Sequence, residues 1–279
     1  MARVVRHVSV RDRWELVHGA PDPRLAAWVL GYCAYDERTG SFTRRRELPG
    51  EHVVAIVNLG APVRVTLGGT SAAPALGFVS GLCDTYAVTE TAGAQRGVQI
   101  DFTPVGAHVL TRVPAHELAG RVVDLEALFG AAGVRLHEAL ACAPGWAPRF
   151  ELLDAFLLAR LDDALSPVPS VTRALARLRA SGGAVRVEAL AGELGCSRRH
   201  LSARFREQVG VSPKLLARIL RFQRALALAG TGPGWAEIAA RCGYYDQAHM
   251  VRDFVQFSGS PPGELARRRL PDGGGVVGD

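Results

Sequence analysis

Leu190-Ala191-Gly192-Glu193-Leu194-Gly195 recurs in pattern as Ile238-Ala239-Ala240-Arg241-Cys242-Gly243, 48 residues further on. Past the glycine the displacement becomes 49, because Tyr244-Tyr245 stand where Cys196 stands alone. From there Ser197, His200, Leu201, Phe205, Gly210 and Pro213 are answered by Asp246, His249, Met250, Phe254, Gly259 and Pro262. Each copy reads as a short apolar helix, a glycine turn, a capping Ser or Asp and a second amphipathic helix, which is the grammar of a helix-turn-helix unit. Two such units in tandem suggest two recognition helices directed at successive turns of one DNA groove.

The distribution of charge agrees with that reading. The net charge of +6 hides a split: residues 171–270 carry 17 Arg or Lys against 7 Asp or Glu, while residues 1–170 carry 16 against 18. Phosphate neutralisation needs positive charge gathered on one module, whereas a merely solvated surface does not. Ordinary apolar and charged fractions exclude wholesale disorder. No run of 18 uninterrupted apolar residues occurs and the N-terminus lacks a signal-peptide core, so a cytoplasmic location is expected. Five cysteines (33, 83, 142, 196, 242) form no CxxC pair and read as free thiols.

The expected fold class is α+β. Residues 1–165 read as a β-rich, barrel- or sandwich-like domain with helices, for effector sensing or dimerisation. Its strands are Val53–Leu59, Val63–Leu67, Leu76–Gly81 and Gly97–Phe102, punctuated by Gly60-Ala61-Pro62, Gly68-Gly69 and Thr103-Pro104. Helical spacing follows over 115–120, 125–130, 134–142 and 149–165. There Leu152, Leu153, Phe156, Leu157 and Leu161 make an apolar stripe, either a packing helix for the barrel or a dimerisation surface. Ser166-Pro167-Val168-Pro169-Ser170 is a stiff linker. An all-α domain with helices at 171–180, 187–194, 197–208, 212–229, 235–242, 246–257 and 261–268 comes next, and residues 271–279 are expected to be disordered.

Within the first unit, Val187, Leu190, Ala191 and Leu194 form the scaffold face, Gly195 the left-handed turn and Ser197 the N-cap. Leu201 and Phe205 face inward, leaving Arg198, Arg199, Ser202, Ala203 and Arg206 outside. Ser212-Pro213 starts a long helix, spanning on the order of 25 Å, that spaces the two units. In the second unit Asp246 is the cap, Met250 and Phe254 face inward, and Gln247, Ala248, Val251 and Arg252 face outward. Val251 and Ala248 suit thymine methyls.

These residues carry a resemblance. Ser197–Pro213 and Ile238–Pro262 together resemble the DNA-binding domain of AraC/XylS-type bacterial transcription regulators, over about residues 170–268. The resemblance implies base-edge contacts from Arg199, Ser202, Ala203, Ala248, Val251 and Arg252. Ala203 departs from the arginine often found at that position. Phosphate contacts are expected from Arg198, Arg206, Arg218, Arg221 and Gln247. The partners implied are double-stranded DNA, RNA polymerase, an unidentified small-molecule effector and a second copy of the chain, with no membrane.

Enzyme readings find little support in the residues. The histidines of the first domain lie no closer than eight residues apart, so no His-x-His metal set is present, and neither GxSxG nor a P-loop appears. No cofactor is expected. Cys33 and Cys83 are read as reactive sensing thiols or as buried structural ones. Arg44-Arg45-Arg46 is read as a solvated loop or a contact to DNA or a partner. His200 and His249 are assigned packing or phosphate contact. Two other readings stand beside the regulator: a first domain that processes a small molecule, and one that only dimerises.

Overall fold

The computed structural model of the chain describes residues 3–9, 12–40, 44–161, 166–229, 231–268 and 276–277. Its N-terminal part is built from two antiparallel sheets. One has seven strands: β1 (Arg3–Val8), β2 (Asp12–Gly19), β3 (Val29–Thr39), β5 (Val53–Asn58), β8 (Gly77–Ser80), β10 (Ala94–Phe102) and β11 (Val122–Asp124), in the spatial order β1-β2-β3-β10-β5-β8-β11. The other orders β12 (Val276–Val277), β4 (Arg44–Glu47), β9 (Ala87–Glu90), β6 (Arg64–Leu67) and β7 (Thr70–Ala72).

The period-2 alternation of side chains decides what each face of the larger sheet meets. Tyr32, Ala34, Val53, Ala55, Val57, Val98, Ile100 and Phe102 point to a helical layer and are buried there. That layer comprises α1 (Pro104–Thr111), α2 (Ala115–Leu118), α3 (Leu125–Phe129), α4 (Ala131–Cys142) and α5 (Trp146–Leu161). The opposite face, with Cys33, Tyr35, Glu37, Val54, Ile56, Gln99 and Asp101, looks toward the smaller sheet across a cavity.

Thr103-Pro104, expected to punctuate strands, instead starts α1: Thr103 Oγ1 accepts from the Gly106 N–H at 2.9 Å, with Pro104 in the first turn. All eight residues of α1 are buried, so the helix is apolar all round and leaves no amphipathic period to read. The stripe on α5 is a packing surface. Leu153 and Leu157 are fully buried, and Leu152, Phe156 and Leu161 pack half-buried on the same core.

The C-terminal helices are α6 (Pro169–Ala180), α7 (Val187–Glu193), α8 (Arg198–Val209), α9 (Pro213–Leu228), α10 (Trp235–Arg241), α11 (Gln247–Ser258) and α12 (Pro262–Arg268). Val276–Val277 departs from the disorder expected of the tail. It pairs antiparallel with Arg45 and Arg46 of β4, and Val276 is buried in the core of the second helical unit. A strand that finds an open sheet edge gains backbone hydrogen bonds, to which Val276 adds apolar burial; the rest of the tail lies outside the described residues.

The cores do not divide at the linker. One continuous cluster joins the sheet's helical layer to Leu190, Leu201, Phe205, Val209, Leu216 and Leu220 of the first unit. The second unit has its own cluster, around Ile219, Phe222, Ile238, Met250, Phe254 and Phe257. The two faces of α9 therefore belong to different cores. The Val168 N–H is held by Gln208 Oε1 of α8 at 3.0 Å, so the joint is docked on the first unit.

Candidate nucleic-acid interface

Both units close as their sequences predict. Gly195 (φ 65°) and Gly243 (φ 77°) occupy left-handed turns between scaffold and recognition helices. Ser197 Oγ accepts from the His200 N–H at 3.1 Å, and Asp246 Oδ1 from the His249 N–H at 2.6 Å. Each cap takes up one orphan amide of a recognition helix and leaves neighbouring amides aimed outward, a local field that favours a phosphate. Leu201 and Phe205, and then Met250 and Phe254, bury the inner faces.

The residues expected to contact bases lie on the outer faces. Arg199, Ala203, Ala248 and Arg252 are exposed, and Ser202 and Val251 half-buried. Arg206 and Gln247 are exposed as well. Among the described residues, Arg199, Arg206 and Arg252 have no carboxylate partner. Arg198 pairs with Glu188 at 2.7 Å, but both side chains are about two-thirds exposed, so exchanging that pair for a phosphate costs little. His249 lies edge-on to Tyr244 at 5.2 Å, a packing contact, whereas His200 is exposed.

Two expected phosphate contacts are engaged inside the protein instead. Arg218 forms an ion pair with Asp253 (2.7 Å), donates to Gln256 Oε1 (2.6 Å) and lies over the Phe257 ring. Arg221 donates to the Gly183 carbonyl (2.8 Å) and stacks on Tyr244. Asp253 is buried on α11 and needs a cation, so Arg218 ties the spacer helix α9 to the second recognition helix. The sequence pattern shows an arginine on a helix and not the carboxylate 35 positions away that claims it.

Tyr245 was missed. It is 94% exposed and directly precedes the cap of α11, the largest apolar side chain offered to solvent near either unit. The signal was present as the extra residue that changes the repeat displacement from 48 to 49.

The N-terminal part grips both recognition helices at equivalent rear ends. Gly210 (φ 94°) follows α8, and a Cβ there would meet the Ala115 carbonyl oxygen of α2 at 2.8 Å. Gly259 (φ 74°) follows α11, and a Cβ there would meet the Tyr86 ring at 2.7 Å. Positive φ and close approach together require glycine at both places. Arg46 of β4 adds hydrogen bonds to the Ser258 carbonyl and Ser260 Oγ, each at 3.2 Å. The three arginines of β4 are thus structural rather than a solvated loop: Arg44 meets Glu90, Arg45 turns into the cavity and Arg46 reaches α11.

That cavity, of about 790 Å³, lies between the sheets. Leu16, Tyr35, Val54, Ile56, Val63, Val65 and Phe78 give it apolar walls, and Gln223 and Leu226 of α9 close one side. The Gln223 side-chain amide donates to the Pro49 carbonyl just beyond β4. The Cys33 and Cys83 thiols face the same space, and burial pushes each up to about 11. Thiols so disfavoured as thiolates fit the structural reading of these cysteines.

Two capped units on one spacer helix, each with its outer recognition face exposed, define a double helix-turn-helix domain. Residues 190–268 match a family model described as a helix-turn-helix domain, of the AraC type. Residues 18–124 match a Domain of unknown function (DUF6597). Among solved structures the chain is similar to ToxT from Vibrio cholerae (12% identity, 85% of this chain and 98% of that chain, TM-score 0.49). It is also similar to the C-terminal domain of AraT, a response regulator from Geobacillus stearothermophilus (27% identity, 38% and 90%, TM-score 0.36). A third is the DNA-binding domain of AdpA, a global transcriptional factor, in complex with a target DNA (26% identity, 36% and 92%, TM-score 0.34). No curated protein matches the chain in sequence.

Proposed function

We propose that this chain is a sequence-specific, DNA-binding transcription regulator whose N-terminal cavity receives a small-molecule effector. The observation that carries the first part is the placing of Arg199 and Arg252, exposed and without carboxylate partners among the described residues, on the outer faces of two capped helices. Arg218 and Arg221, by contrast, are used inside the domain.

Base-edge contacts are assigned to Arg199, Ser202, Ala203, Ala248, Val251 and Arg252, with Arg198, Arg206 and Gln247 on phosphates. The spacer helix α9, about 24 Å long at 1.5 Å per residue, holds the readers apart on one face of a duplex whose turn is about 34 Å. The cavity and the grip on both recognition helices support an effector role over a ligand-free dimerisation module. RNA polymerase and a second copy of the chain complete the proposed partners. Among the described residues, no helix is long and apolar enough to cross a membrane, and no three His, Cys, Asp or Glu side chains form a metal-holding group.

The test is selection of bound sequences from a random duplex pool, followed by fluorescence anisotropy on the winner at two salt concentrations. A discrete motif with two sub-sites about one helical turn apart supports the reading. Weak binding to all sequences alike, abolished by salt, overturns it.

A further inference from the structure

The cavity between the sheets is apolar in its walls and acidic in its polar groups. Glu37, Glu47 and Asp101 line it, against Arg45 as the sole Arg or Lys among its described lining residues, with His18 and His52 also lining it. Arg45 is ion-paired: its Nη2 donates to Glu37 at 2.8 Å, leaving its Nε as a buried donor without a partner among the described residues, and Glu37 also accepts from Gln95 Nε2 at 2.6 Å. Asp101 accepts from Gln99 Nε2 at 2.8 Å and stands 3.7 Å from His52 Nε2.

Glu47 is different. It accepts one hydrogen bond, from Thr89 Oγ1 at 3.1 Å, and forms no ion pair among the described residues. Burial pushes its carboxyl up; Thr89 and Arg45 oppose that shift and Glu37 adds to it. Glu47 is half-buried, so a carboxylate there is partly withdrawn from water with no ion-pair partner among the described residues.

Resting on the effector reading above, we propose that the cavity selects a small organic cation, an amine or amidine on an apolar or aromatic body, with its charged head on Glu47 and its body against Tyr35, Ile56, Val65 and Phe78. The fit is complementary at both ends. Ammonium N–H donors satisfy the open acceptor capacity of Glu47 and neutralise the excess negative charge, while the body replaces water on apolar walls. An anionic ligand meets the reverse: Arg45 is neutralised by Glu37, and a second anion beside Glu47 is repelled.

Three isosteric probes test this on the full-length protein by isothermal titration calorimetry at neutral pH: 4-phenylbutylamine, 4-phenylbutanol and 4-phenylbutanoate. The amine is expected to bind at least tenfold more tightly than either of the others. Glu47→Gln abolishes that preference and Glu47→Asp keeps part of it. Tighter binding of the acid, equal binding of all three, binding of none, or an undiminished preference in Glu47→Gln each overturns the proposal. Should Glu47→Gln fail to fold, the wild-type ranking alone decides. Duplex selection with the same preparation separates the two readings. Amine preference without any selected motif removes the regulator and leaves the site; a selected motif without amine preference does the opposite.

Discussion

Arg46 donates through Nη1 to the main-chain oxygen of Ser258 at 3.2 Å, joining a strand of the N-terminal sheet to the last turn of the second recognition helix. Its neighbours in β4, Arg45 and Glu47, face the cavity. One pleated strand of four residues thus touches the cavity with one face and the second recognition helix with the other. Arg46 is thus the side chain through which a shift of β4 would reach the end of α11.

Arg46→Ala removes a charged donor from a helix-end carbonyl and is expected to lower stability by roughly 1–3 kcal/mol in denaturant titration. It is further expected to leave a selected duplex bound while abolishing any change in that affinity caused by 4-phenylbutylamine. An intact amine response, read by anisotropy, would show that the coupling runs elsewhere.

On the DNA face, Arg199→Ala should cost about 1–3 kcal/mol and relax preference at one base position, whereas Arg206→Ala should weaken every sequence alike and reduce the salt slope by about one. Binding of a duplex set with single-base changes distinguishes them. Uniform loss for Arg199→Ala removes it from base reading.

Arg218→Ala leaves the buried Asp253 without its cation and should destabilise the fold by about 3–5 kcal/mol. Combining it with Asp253→Ala should restore much of the loss in a double-mutant cycle. A phosphate contact would give the contrary result: normal stability with a lower salt slope.

The Glu47 carboxyl is raised above its ordinary value by burial. The folded state therefore holds its proton to higher pH than the unfolded chain does, and stability falls as pH rises through the window between the two values. In the absence of ligand, Glu47→Gln should melt above the wild type at neutral pH, by roughly 2–4 °C for each kcal/mol recovered. That advantage should vanish below the ordinary carboxylate range. Melting curves at several pH values check the sign.

Cys142 is exposed, whereas Cys33 and Cys83 are partly buried with thiols held at about 11. A disulfide reagent at neutral pH should modify Cys142 first, as peptide mapping would show. Fast modification of Cys83 would revive the sensing-thiol alternative.

What the sequence displays best is local. Gly195, Ser197, Gly243 and Asp246 act within a few residues of themselves, so turn and cap were readable directly. The outward placing of Arg199 and Arg252 follows from helical spacing against Phe205 and Phe254. Long-range pairing was hidden: Asp253 captures Arg218, Val276 finds β4, and Glu37 neutralises Arg45 across the cavity. Helix α1 escaped because full burial erased its amphipathic period. The polar lining of the cavity escaped because Glu37 stands between the exposed Asp36 and Arg38 and Glu47 follows three arginines, so each reads as an ordinary surface-strand charge.

The core that runs unbroken from the sheet's helical layer into the first helical unit sets how this architecture can be recombined. A hybrid made by cutting within residues 166–170 and attaching a foreign sensor would strip α1 and α2 from the back of α8, leaving the buried apolar side chains of that helix in water. The N-terminal part and the first helical unit therefore form one packing unit, and the prolines that mark a joint in the sequence do not mark a place where the chain can be divided without opening a core.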